Sequence, residues 1–105
     1  MIKEITVSEL NHWIAEKKDF QLIDVREAHE KQIADIGGQL IPLQTIPGSL
    51  DQILAKEVVI YCRSGKRSSD ATQYLQPNLK REDIYNLKGG ILAWSDEIDS
   101  SITKY

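Results

Sequence analysis

The chain has 105 residues, enough for one hydrophobic core, and we expect a single domain over residues 1–105. A net charge of −3 gives no global basic field, so neither nucleic acid nor an anionic membrane is an expected partner. The single cysteine excludes an internal disulfide framework. The N-terminal residues lack the apolar core of a signal peptide, and no apolar run approaches membrane length, so we expect a cytoplasmic location.

The first quarter of the sequence predicts two strands with a helix between them. Residues 3–6 can form a short edge strand, and Thr6 with Glu9 has the spacing of a capping box at the start of a helix. The mostly apolar run 20–25 predicts the second strand and carries Asp24 near its carboxyl end. Because ligands bind at the carboxyl edge of a parallel sheet, we expect Asp24 at that edge.

The middle of the chain predicts two further helices around a short strand. A helix is expected from residue 26 to about residue 33, and residues 35–43 predict a turn followed by a strand. Ser49 follows a Pro-Gly turn and is a candidate N-cap for a helix. The apolar face of that helix is predicted from spacing at Leu50, Ile53 and Leu54.

The region from residue 58 to residue 87 predicts a strand, a loop, a helix and a last strand. Residues 58–61 are apolar types that favour strands, and the only cysteine, Cys62, follows them directly. A helix is predicted to begin near Ser64, and we expect Pro77-Asn78 to end it. Residues 83–87 predict the fifth strand. The alternation of strands and helices favours a parallel sheet with helices on both faces.

The loop after Cys62 carries the chemical signal of the sequence. A lone cysteine after a buried strand is often an inert core residue, but here cationic and small residues follow it. Arg63, Lys66 and Arg67 place three positive charges beside backbone N–H groups and a helix N-terminus. This pattern predicts a thiolate nucleophile inside an anion-binding cradle. A nucleotide phosphate loop fails on spacing, because its first glycine would fall on Ile60.

The segment Cys62-Arg63-Ser64-Gly65-Lys66-Arg67-Ser68 resembles the active-site loop of the rhodanese family of sulfurtransferases. Three other segments extend the resemblance: Asp-Val-Arg-Glu at 24–27, the turn and strand at 35–43, and the Gly-Gly and Ala-Trp pairs within 87–94. Asp35 and Gly37 depart from the histidine and proline that are usual in the second of these. The resemblance covers about residues 3–98 and implies an α/β, rhodanese-like fold with about five mostly parallel strands.

The resemblance also implies a reaction and assigns roles within it. Cys62 would be catalytic: it accepts a sulfane sulfur from thiosulfate or a persulfide donor, becomes a persulfide, and passes the sulfur to a thiophilic acceptor. The loop would bind the small anionic donor through Arg63, Ser64, Gly65, Lys66, Arg67 and Ser68. Asp24 and Arg26 would support the site, with Asp24 pairing with Arg26 or with a loop cation such as Arg67.

No cofactor is implied, and we expect no metal, since one cysteine and two distant histidines do not make a ligand set. The acceptor would be cyanide, an external thiol or a cysteine of another protein, because the chain has no second thiol. Two other functions stay open: a non-catalytic rhodanese-like binding module, and a cysteine-based phosphatase or arsenate reductase. Four residues separate Cys62 from Arg67, whereas cysteine phosphatases have five, so the shorter loop favours sulfur transfer.

Overall fold

The computed structural model describes residues 2–105 as an α/β fold with a five-stranded parallel sheet. The strands are β1 Lys3–Ile5, β2 Gln21–Asp24, β3 Gln39–Leu40, β4 Val58–Tyr61 and β5 Ile84–Leu87. The helices are α1 Val7–Ala15, α2 Ala28–Ile33, α3 Lys66–Leu79 and α4 Gly90–Glu97. The strand order is β1-β5-β4-β2-β3, which confirms the predicted class of fold. Within residues 2–105, no helix is both long and apolar enough to span a membrane.

The central strand β4 divides the interior into two cores, because successive side chains of a strand point to opposite faces. Val58 and Ile60 face a core that includes buried residues of α3, and Cys62 continues this alternation. Val59 and Tyr61 face the other core, which α1 and α4 cover. Since all strands are parallel, the carboxyl ends of β2, β4 and β5 meet at one edge of the sheet.

The predicted start of α1 is confirmed in detail. The Thr6 hydroxyl accepts the N–H of Glu9 at 3.1 Å, and the Glu9 carboxylate accepts the N–H of Thr6 at 2.9 Å. Two donors at the helix N-terminus that would otherwise have no partner are thereby satisfied, as a capping box requires.

The predicted helix after residue 49 is wrong. The chain forms two short 3₁₀ helices, Leu43–Gly48 and Leu50–Gln52, and the Ser49 side chain makes no capping bond to the second. Leu54 does not pack on the core but is 80% exposed. The physical reason is a long-range bond: the Gln21 side chain accepts the N–H of Leu54 at 3.1 Å, which draws the chain towards the sheet instead of continuing a helix.

The predicted helix end at Pro77-Asn78 lies one residue early, because α3 continues to Leu79. Pro77 lies in the last turn, where its missing N–H removes one hydrogen bond without forcing the chain out of the helix. The helix ends at Lys80, whose backbone is left-handed with φ 54°. The N–H of Lys80 bonds back to the Pro77 carbonyl at 3.3 Å, so the cap is formed without glycine.

Candidate active site

Cys62 lies directly after β4 and just before the N-terminus of α3, and only 1% of its surface is exposed. Its Sγ atom accepts from two backbone N–H groups and contacts one hydroxyl. The N–H of Gly65 lies 3.1 Å away, the N–H of Ser68 3.4 Å, and the Ser68 hydroxyl 3.3 Å. The sequence predicted that backbone N–H groups point to the centre of this loop, and two of them converge there on the sulfur atom.

The β5–α4 connection holds the loop in this shape. The N–H of Ile91 donates to the Cys62 carbonyl at 3.0 Å, and the N–H of Leu92 donates to the Arg63 carbonyl at 3.1 Å. Gly90 has φ +60°, and a Cβ there would lie 2.5 Å from the Arg63 carbonyl oxygen. Only glycine therefore lets the start of α4 approach the active-site loop this closely.

Asn86 on β5 is a site residue that the sequence analysis missed. It is only 2% exposed, and its amide nitrogen donates to the carbonyl of Gly65 and to the carboxylate of Glu4, both at 3.2 Å. The Ser68 hydroxyl donates its only proton to the Asn86 side-chain oxygen at 2.5 Å, so it contacts the Cys62 sulfur without donating to it. Asn86 thus holds both residues that donate to Cys62. The sequence did contain one signal for this role, namely a polar residue within a strand that was predicted to be buried.

Asp24 and Arg26 form a buried ion pair, which is one of the two pairings predicted for Asp24. Arg26 donates through Nε and Nη2 to the two Asp24 carboxylate oxygens at 2.9 and 2.8 Å, and both side chains are fully buried. The Arg26 N–H adds a third bond at 3.0 Å. Burial opposes the charge on Arg26, but its bonds with Asp24 and Tyr105 raise its pKa above the ordinary value.

Arg67 turns away from the loop and pairs with Glu30, so the suggested pairing of Arg67 with Asp24 is wrong. Its two terminal nitrogens donate to the two Glu30 oxygens at 2.7 and 2.8 Å. The Asp24 carboxylate is fully buried and accepts from Arg26 and from the Tyr61 hydroxyl, whereas Glu30 lies within hydrogen-bond distance of Arg67. The hydrogen bond from Arg67 lowers the pKa of Glu30 to about 2, although burial acts in the opposite direction.

Tyr105 joins these two ion pairs and was also missed by the sequence analysis. Its hydroxyl accepts from Nη1 of Arg26 at 3.0 Å and donates to Glu30 at 2.7 Å. On the other side, its ring centroid lies 5.0 Å from the guanidinium carbon of Arg63. No local pattern marks this position, because it follows α4 in a stretch without regular structure.

The remaining loop residues, Arg63, Ser64 and Lys66, are exposed. Neither Arg63 nor Lys66 forms an ion pair within residues 2–105, whereas Arg67 is neutralised by Glu30. In the same part of the chain, no group of three or more His, Cys, Asp or Glu side chains is arranged to hold a metal ion.

Comparison with known proteins assigns the family. The family model of the rhodanese-like domain matches residues 6–97 of this chain. A sulfurtransferase of Allochromatium vinosum is 39% identical over 98 residues, which are 90% of each chain. The crystal structure of a rhodanese-like domain protein from Staphylococcus aureus has a TM-score of 0.81 at 34% identity, covering 99% of both chains.

Longer relatives contain a similar region. The adenylyltransferase and sulfurtransferase UBA4 of Vanderwaltozyma polyspora is 35% identical over 101 residues, which are 85% of this chain but 23% of that protein. The match of the family model over most of the chain, together with the Allochromatium and Staphylococcus relatives, identifies this protein as a member of the rhodanese-like domain family.

Proposed function

We propose that the protein is a sulfurtransferase that carries a sulfane sulfur as a persulfide on Cys62. The observation that carries this proposal is the pair of backbone N–H groups, from Gly65 and Ser68, that donate to the Cys62 sulfur. The Allochromatium and yeast relatives that are named sulfurtransferases support the same reaction class. We place the activity in the cytoplasm, where small thiols are abundant acceptors.

In the first half-reaction the Cys62 thiolate attacks the outer sulfur of a donor such as thiosulfate. A new S–S bond forms, the S–S bond of the donor breaks, and sulfite leaves with the electron pair of that bond. The persulfide keeps one negative charge on its outer sulfur, inside the loop whose N–H groups from Gly65 and Ser68 converge on Cys62 and stabilise it. The exposed cations Arg63 and Lys66 attract the dianionic donor to the mouth of the loop.

In the second half-reaction an external nucleophile attacks the outer sulfur and restores the Cys62 thiolate. Cyanide would leave as thiocyanate, and a thiolate would leave as a new persulfide. The chain contains one cysteine, so the enzyme cannot discharge itself through an internal disulfide. The loaded enzyme should therefore persist between the two half-reactions and give ping-pong kinetics.

The position of Arg67 argues against phosphoryl transfer. Both of its terminal nitrogens are bonded to Glu30, so its guanidinium does not face the centre of the loop where a phosphate would bind. The four-residue spacing between Cys62 and Arg67 also gives a smaller ring than that of the cysteine phosphatases.

The proposal is tested by intact mass spectrometry after incubation with thiosulfate or with a low-molecular-weight persulfide. We expect one added sulfur atom, removable by cyanide with release of thiocyanate. Cys62→Ala should fold normally and gain no sulfur, because it removes little volume and the only nucleophile. A folded wild-type protein that gains no sulfur from either donor would refute the proposal, and so would a Cys62→Ala variant with retained activity.

The need for an external acceptor is tested on the loaded enzyme after removal of the donor. We expect its mass to stay constant in buffer and to fall at a rate proportional to the concentration of added thiol. Discharge in buffer alone, at a rate independent of thiol, would contradict the second half-reaction as written.

A further inference from the structure

Tyr105 lies outside residues 6–97, the part of the chain that matches the family model, yet its side chain reaches the active-site loop. The stretch after α4 returns to the sheet, and Tyr105 packs against the core that contains Tyr61 and Trp94. This contact is made by a residue outside the part of the chain that the family model matches.

Arg63 has little else to fix its position. It is exposed, and within residues 2–105 it forms no ion pair. A free arginine side chain samples many rotamers, so its charge is spread over a large volume. The aromatic ring 5.0 Å from its guanidinium carbon restricts this freedom through a cation–π contact.

The ring of Tyr105 is itself held from the opposite side. Its hydroxyl bonds to Arg26 at 3.0 Å and to Glu30 at 2.7 Å, and Arg26 is fully buried. Two buried side chains, Arg26 and Glu30, therefore orient the tyrosine, and the tyrosine in turn orients the exposed arginine next to Cys62. Such support by a second layer of side chains is what keeps a binding group preorganised.

We propose that Tyr105 is a positioning residue, which holds the Arg63 guanidinium beside the Cys62 loop and strengthens the binding of anionic substrates. That thiosulfate is such a substrate rests on the proposed function. The attraction of an anion to Cys62 does not rest on the proposed function, because it depends only on the position of the Arg63 charge.

The test compares two alkylating agents of similar size, anionic iodoacetate and neutral iodoacetamide, in their rates of reaction with Cys62. The ratio of the two rates reports the local attraction of anions and cancels changes in the reactivity of the thiol. We expect Tyr105→Leu to lower this ratio about two- to fivefold, the size of an exposed cation–π contact. Tyr105→Phe keeps the ring but loses the hydroxyl bonds, and we expect it to lower the rate ratio by about half as much as Tyr105→Leu does.

The same variants should raise the KM for thiosulfate in proportion and leave kcat unchanged. In an Arg63→Ala background, Tyr105→Leu should have no further effect on the rate ratio, because the residue on which it acts is gone. Tyr74→Leu, at a tyrosine on the surface of α3, is the matched control and should behave as wild type.

An unchanged rate ratio in folded Tyr105→Leu overturns the proposal, and so does an equal fall in the Arg63→Ala background. If Tyr105→Leu does not fold, Tyr105→Phe decides, and an unchanged ratio there counts against the proposal. Failure of the wild-type protein to accept sulfur would overturn the proposed function alone, since alkylation requires no sulfur transfer.

Discussion

Two groups of polar side chains adjoin the active-site loop, and they differ in kind. One group, the sulfur cradle, has no ion pair and consists of Cys62, Ser68 and Asn86 together with the backbone of Gly65. The other, the ionic network, consists of the charged side chains of Asp24, Arg26, Glu30 and Arg67 and the neutral hydroxyl of Tyr105 that joins them. In the network each charged side chain has an opposite partner, whereas the sulfur of the cradle meets only neutral donors.

The difference shows that charge near the Cys62 thiol is not by itself evidence of a role in chemistry. Of the three cations in the loop, Arg67 is neutralised by Glu30 and fixes the loop to α2. The cradle contains no ion pair, so the N–H groups of Gly65 and Ser68 can stabilise a negative charge on the sulfur. We expect damage to the network to lower stability first, and damage to the cradle to lower sulfur transfer first.

The largest effect on stability is expected from Arg26→Met, which leaves the Asp24 carboxylate buried without its partner. Removal of one member of a buried ion pair typically costs about 3–5 kcal/mol of unfolding free energy. Urea denaturation measures the loss. The double variant Asp24→Asn with Arg26→Met should be more stable than Arg26→Met alone. A single variant that loses less than about 1 kcal/mol would contradict the assignment of Arg26 to a structural network.

Acid should weaken the network at Glu30. Its pKa is lowered from an ordinary 4.5 to about 2, so the ion pair contributes fully above pH 4.5 and is lost as the pH falls towards 2. The contribution is about 3 kcal/mol at most, given about 1.36 kcal/mol for each pKa unit. We expect Glu30→Gln to flatten the dependence of unfolding free energy on pH in this range. Glu82→Gln, at an exposed position, is the control, and equal slopes in both variants would argue against the Glu30–Arg67 pair.

The cradle is tested by Asn86→Leu, which removes the partner of both Gly65 and Ser68. Each buried polar group left without a bond costs about 1–3 kcal/mol, and displaced donors should slow sulfur loading about tenfold. The rate is followed by intact mass at early times after thiosulfate is added. Asn78→Leu replaces an exposed asparagine of α3 and should load as wild type. Wild-type loading by a destabilised Asn86→Leu variant would make Asn86 a structural residue only.

The sequence predicted the cradle better than the network, and the reason is the separation of the partners along the chain. Gly65 and Ser68 lie within six residues of Cys62, so one continuous motif contains them. Glu30 is 37 residues from Arg67, and Tyr105 is 75 residues from Glu30. Local spacing cannot indicate which of 16 acidic residues will face a given arginine after folding.

The five strands were predictable because apolar runs and turn residues mark them locally. The segment after Ser49 was not, although its helical spacing is as clear as that of α1. There, the side chain of Gln21 takes the N–H of Leu54, a contact across 33 residues that competes with the helix. Spacing predicts what a segment can form alone, and a distant hydrogen-bond partner can override it.

The smallest expected effect concerns Lys66, the exposed first residue of α3. Its charge can steer an anionic donor but makes no ion pair within residues 2–105, so its contribution is screened by solvent. We expect Lys66→Gln to raise the KM for thiosulfate about two- to fivefold at low salt, with the difference shrinking as ionic strength rises, because exposed charge interactions are worth less than about 1 kcal/mol. Lys56→Gln is the matched control, since Lys56 precedes β4 and Lys66 follows it, at opposite ends of the same strand. Equal KM changes in the two variants would mean that the net charge of the protein, rather than the charge beside the sulfur cradle, attracts the donor.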